Sequence, residues 1–189
     1  MAFNDECAWA REVCLAWEGA DPGLLLERLM ADERCAAFGP VHHFLVGAAL
    51  ATCSRPRARA RSTYGDLASA LDELGARAFC VPGASCAKWG VCGAAASCGM
   101  AFAVLAGNAP LRAEGWSAGQ AMVADVLGRI AVAGSPRCCK RDARIAVRAA
   151  VPWFNEHLDA GLVLDGSLVA CAVAGANSAC LGDGCPYHP

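Results

Sequence analysis

The chain reads as a mainly α, compact, multi-helix bundle-like domain with an irregular cysteine-rich C-terminal segment. Two kinds of observation predict this: apolar residues recur at helical spacing along most of the chain, and helix start and stop signals bracket those runs. Hydrophobic residues make up 56% and charged residues 18% of the 189. That excludes disorder and supplies one core without disulfide staples.

Taken in order, Asp5 can cap a first helix that carries Cys7, Ala10, Cys14 and Trp17 on one face. Asp21-Pro22 opens a second, with proline at the first helical position, running through Leu25 and Leu29 toward Cys35. Gly39-Pro40 breaks the chain, and a third helix is expected from His42-His43 to about Cys53. The alternating arginines of residues 55–61 cannot share a core and predict an exposed loop. Thr63 and Asp66 resemble a capping box before a helix with Leu67, Leu71 and Leu74 on its stripe and Gly75 at its end. Residues 80–90 read as loop, followed by a helix over 90–105 rich in Gly, Ala, Cys and Val. Ser117 and Gln120 suggest another capping box, with Met122, Val126 and Ile130 behind it and Gly134 as the stop. Ser135 is expected to cap the next helix, with Pro136 first in it and Pro152 ending or kinking it after Val151. Residues 162–164 and 168–173 predict short strands.

Net charge is −2, so no global electrostatic case exists for nucleic acid or an anionic membrane. The longest apolar stretch, residues 94–106, falls short of the roughly 20 residues a membrane span needs. The first residues, MAFNDECAWARE, carry acids where a signal peptide needs basic and then apolar residues. A soluble, cytoplasmic protein with reduced thiols is the expectation.

The outlying number is thirteen cysteines. An odd count in a reducing compartment points to core filler, metal ligands or redox groups rather than a disulfide framework. Cys7, Cys14 and Cys35 lie on apolar helix faces and are expected as core residues, with Cys53 and Cys98 alongside them. The six-residue spacing of Cys80, Cys86, Cys92 and Cys98 matches no helix or strand face across its run.

Seven cysteines differ. Cys86 and Cys92 sit in CAKWGVCGAA at a predicted helix start, where backbone amides and the helix dipole stabilise a thiolate and glycines leave room for a bulky group. Cys138 and Cys139, in SPRCCKRDA, would occupy the first turn of a helix, their side chains about 100° apart. Cys171, Cys180 and Cys185 stand in a tail with few apolar neighbours, and a metal organises such a segment directly. His42 and His43 add a ligand or proton donor. Arg137, Lys140 and Arg141, on a stripe that continues through Arg144 and Arg148, form either an anion-binding surface or a solvated face. Only Cys180-x4-Cys185 loosely matches a zinc pair. The scattered thiolates fit an iron–sulfur cluster, 4Fe-4S in type, with zinc as the alternative.

The segments PVHHFLVGAAL, CAKWGVCGAA, SPRCCKRDA and the tail C-x8-C-x4-CP together resemble an uncharacterised cysteine-rich domain of anaerobic prokaryotes, found alone or fused to methyltransferase-like domains. The resemblance spans about residues 40–188. It takes in His42, His43, Cys86, Trp89, Gly90, Cys92, Gly93, residues 137–141, Cys171, Asn177, Cys180, Cys185 and Pro186. That family carries no established activity, so the resemblance implies a site rather than a reaction, with a methyltransferase-like or redox protein as the implied partner. Residues 1–189 are therefore read as one domain, with 1–39 a helical extension and 40–188 a cysteine-rich metal-binding core. The function classes are an iron–sulfur protein with a redox or substrate-binding role, a soft-metal or metalloid binding module, or a structural zinc domain. A thiol redox enzyme is the weakest, since no C-x-x-C is present.

Overall fold

The computed structural model describes residues 7–59, 62–167 and 169–189. Helices α3 (His42–Cys53) and α7 (Gly93–Ala106) form its centre. Their sequences, HHFLVGAALATC and GAAASCGMAFAVLA, are apolar all round, and a helix with no polar face is stable only when surrounded. Every residue of α3 is buried. The two backbones approach closely at Gly47, whose N–H donates to Ser97 Oγ at 2.8 Å. A Cβ at position 47 would lie 2.8 Å from the Ser97 carbonyl oxygen, so this crossing requires glycine.

Around the pair pack α1 (Ala8–Leu15), α2 (Pro22–Met30), α5 (Leu67–Phe79), α8 (Trp116–Val132) and α9 (Cys139–Leu158). Short helices α4 (Pro56–Arg59) and α6 (Ser85–Lys88) join them. The first two helices are part of the same core: Leu25, Leu26 and Leu29 are fully buried. The five cysteines expected as filler (Cys7, Cys14, Cys35, Cys53 and Cys98) are all buried. Among the described residues no helix is long and apolar enough to cross a membrane.

Several local expectations are corrected. The Asp5 cap lies outside the described residues; α1 starts after Cys7. The arginine-rich loop contains a helical turn, α4, because Ala58 is buried and Arg55 N–H bonds to Ala160 O. Asp66, not Thr63, caps α5 by accepting from Ser69 N, and the helix passes Gly75 to Phe79 because Gly75 and Ala78 are buried. Residues 85–88 are helical rather than loop. Gly115 precedes α8, so Ser117 lies inside it.

Cys138, not Ser135, is the residue before α9, and the helix passes Pro152 to Leu158. Burial of Phe154 and Leu158 is worth about 1.5–3 kcal/mol each, which offsets the roughly 3 kcal/mol cost of an interior proline. No strand occurs among the described residues. Residues 162–164 hang on isolated bonds, Leu162 N to Asn155 Oδ1 and Val163 N to Ala20 O, with no ladder. Leu168 lies outside the described residues.

Asp21 joins the N-terminal helices to the tail. Its Oδ1 accepts from Gly23 N and Leu24 N, at 2.7 and 3.1 Å, and its Oδ2 accepts from Asp165 N at 2.7 Å. Asp21→Ala is expected to cost about 1–2 kcal/mol, the upper part of the range for a helix cap. Thermal unfolding checks this, and an unchanged midpoint would contradict it.

Candidate metal centre

The N-termini of α3, α7 and α9 converge on one pocket. Each helix starts without a side-chain cap: Val41, Cys92 and Cys138 make no capping bond. At α3 the first N–H groups bond to the carbonyls of Gly39, Pro40 and Val41, so what the three helix starts share is the positive end of the dipole, which favours negative charge. The pocket has a cavity volume of about 40 Å³ and is lined by His42 and His43 of α3, Cys86 of α6, Cys92 before α7, and Cys139 and Asp142 of α9. Arg137 stands at its mouth.

The two histidines are set in the same way. His42 Nδ1 lies 3.1 Å from Gly39 O and His43 Nδ1 lies 3.3 Å from Val81 O. A carbonyl only accepts, so each ring carries its proton on Nδ1 and presents the Nε2 lone pair. His42 Nε2 is buried with no hydrogen-bond partner. Burial, and then the charge of Lys140, push the His42 pKa down to about 4. Burial also lowers that of His43. Both rings are neutral at pH 7, the form that binds metals.

Gly93 explains part of the CGAA motif. A Cβ at this position would collide with the Cδ2–Nε2 edge of the His43 ring. Gly93→Ala is therefore expected to displace His43 and to cost about 1–3 kcal/mol through overpacking. Denaturant unfolding and the His43 ring resonances check this; unchanged stability with an unmoved ring would contradict it.

Burial disfavours the thiolate form of Cys92 and of Cys139. Burial pushes the Cys92 thiol up to about 11, against the opposing pull of the Ala94 and Ala95 amides. Cys92 Sγ lies 4.0 Å from Asp142 Oδ2, and burial raises the Asp142 pKa too. Burial raises Cys139, while Gly39 N–H and Arg137 act the other way. Arg137 Nη1 lies 3.2 Å from Cys139 Sγ. Such thiols ionise when a soft cation supplies the compensating charge. One pocket wall also carries backbone strain: Ala84, with φ 63°, is in the left-handed region, at a cost of about 1–2 kcal/mol.

The structure divides the sequence-derived candidates. Cys86, Cys92, Cys139, His42 and His43 share the pocket. Cys138 turns away, its Sγ 3.6 Å from Asn177 Nδ2 in the tail. Cys171, Cys180 and Cys185 lie with the tail. Among the described residues no three His, Cys, Asp or Glu side chains already stand in metal-ligand geometry, so closure on an ion requires side-chain rotation.

Most of the basic stripe is engaged internally. Buried Lys140 donates to Met30 O at 2.9 Å and to Cys35 Sγ at 3.3 Å. Buried Arg141 donates to Gly134 O and Pro136 O, at 2.7 and 3.1 Å. Arg144 pairs with Glu27, and Arg148 reaches Asp165 O and Ser167 O. Arg137, in contrast, is exposed at the pocket mouth.

Asp142 was not picked out from the sequence. A signal existed: it lies three residues after Cys139, a spacing that shares one helical face. Gly39 and Ala84 join the pocket from loops, which no periodicity marks.

Residues 10–188 match the family model described as a family of unknown function, DUF5714. The chain belongs to the DUF5714 family. The match takes in α2, the pocket and the tail, and it begins within α1. No curated protein and no solved structure matches the chain.

Proposed function

We propose that this DUF5714 protein binds a metal centre in the pocket between the N-termini of α3, α7 and α9. Cys86, Cys92 and Cys139 would ligate as thiolates, and His43 Nε2 would serve as the nitrogen donor. The observation that carries the reading is convergence: three cysteines from two separate motifs, with two histidines from a third whose tautomers are already set, meet in one pocket. Burial of that many thiols and imidazoles together is costly without a ligand to satisfy them.

The centre is an iron–sulfur cluster with a redox or substrate-binding role. Thiolate-rich ligation from scattered elements, rather than from a zinc knuckle, supports this. The three helix starts supply the positive potential that favours an anionic cluster. Arg137 is the residue placed to meet an anionic substrate or a partner's acidic group at the mouth.

A second reading, a single zinc ion, is favoured by the imidazole of His43 and the carboxylate of Asp142 beside the thiols, a mixed donor set that suits zinc.

Elemental analysis and an absorption spectrum of protein purified without oxygen separate the two. Iron with acid-labile sulfide and broad visible absorption is the expected result. Zinc without visible absorption moves the assignment to the second reading, and protein free of both overturns metal binding at this site.

A further inference from the structure

Cys138 and Cys139 are adjacent in the chain but face different surroundings. Cys139 lines the pocket, whereas Cys138 meets the tail through Asn177. The start of α9 thus sorts the seven candidate cysteines into two sets, and the second set has no role in the centre described above.

The tail lies back along α9. Arg148 Nη2 donates to Ser167 O at 2.6 Å. Four residues earlier on α9, the Arg144 guanidinium lies 5.0 Å from the Tyr187 ring centroid. Lys140 lies beside Val173, and Asn177 reaches Cys138 at the helix start. The chain then returns, and Cys171 N–H bonds to Tyr187 O at 2.7 Å. That bond closes a loop containing Cys180 and Cys185. Each of these two lies at the end of a turn, with Cys180 N–H on Asn177 O and Cys185 N–H on Gly182 O.

Little else holds this loop. From residue 162 onward, the described residues form only two 3-10 turns, and Leu162 and Tyr187 are the buried apolar side chains. Cys138, Cys171, Cys180 and Cys185 are all partly buried free thiols. A loop without a core gains its order from a cross-link or a bound ion.

We infer that the tail and the first residue before α9 build a second, separate thiolate metal site, with Cys138, Cys171, Cys180 and Cys185 as its four ligands. Four cysteines suit zinc or an iron–sulfur cluster. Binding would draw the loop against the start of α9, placing the two centres on opposite sides of one helix terminus.

The test is a titration of the reduced, metal-free full chain with zinc(II), following bound metal with a competing chromophoric chelator. The expected stoichiometry is about two ions per chain, as two tetrahedral thiolate sites require. The double variant Cys180→Ser/Cys185→Ser should keep one ion with unchanged helical circular dichroism. Cys86→Ser/Cys92→Ser should keep the other. A single ion lost in both variants would mean one shared centre and overturn the inference. A tail variant that binds as much zinc as the parent, or a single parent ion lost only in the pocket variant, also overturns it while leaving the first centre intact. A single ion lost only in the tail variant upholds the tail site and removes the pocket reading instead.

Discussion

Cys92→Ala and Cys139→Ala are each expected to empty the pocket of metal, while Cys14→Ala keeps it. All three remove one thiol, so the contrast isolates position. Cys14 is fully buried in the core and does not line the pocket, whereas Cys92 and Cys139 reach it from the starts of two different helices. Loss of an outer-shell partner alone typically costs about 10–100-fold in metal affinity, so loss of a ligand should exceed that. Metal content per chain after anaerobic purification is the measurement. Equal metal in the three variants would contradict the ligand assignment.

Arg144→Ala is expected to give the largest loss of stability from a single surface-to-core contact. Its Nε and Nη2 meet the Glu27 carboxylate in a bidentate pair at 2.6 and 2.7 Å, joining α9 to α2. Burial opposes its charge, yet the Glu27 hydrogen bond and charge hold its pKa above the usual arginine value. The same guanidinium packs over Tyr187. Removing one partner of a buried pair leaves the other unpaired, at a cost of about 3–5 kcal/mol in full burial. Glu27 keeps partial access to water, with its side chain 21% exposed, so about 2–4 kcal/mol is expected here. Arg144→Lys should recover only part of this, since lysine lacks the planar fork. Urea unfolding and the rate of proteolysis within residues 162–188 test it. Parental stability with an uncut tail would show that the pair contributes nothing.

Much of the helical frame was legible because it depends on local signals. Asp21-Pro22 marks the start of α2, and the unbroken apolar run after His42 marks α3. The boundaries that failed are those where tertiary burial outweighs local propensity. Pro152 lies inside α9 because Phe154 and Leu158 are buried beyond it. The basic stripe was visible as a period, but its role was not. No pattern within α9 shows that Glu27, Met30 and Cys35, more than a hundred residues earlier, receive Arg144 and Lys140.

The site was legible in its parts and hidden in its arrangement. Glycine context singled out Cys86 and Cys92, and a place at a helix start singled out the Cys138-Cys139 pair without choosing between them; Gly93 now has a steric reason in the His43 ring. The parting of Cys138 from Cys139 follows from the extended backbone of Cys138, which stands just before the first turn of α9. Which one faces the pocket depends on where α3 and the tail lie, and that is a property of the packed chain.

Metal-edge X-ray absorption on the anaerobically purified protein tests the proposed centre most directly. A sulfur-dominated first shell, with scattering at about 2.3 Å that weakens in Cys92→Ala and Cys139→Ala, is the expected result. A first shell of oxygen and nitrogen alone, or no bound metal to measure, would contradict a thiolate centre at the meeting point of α3, α7 and α9.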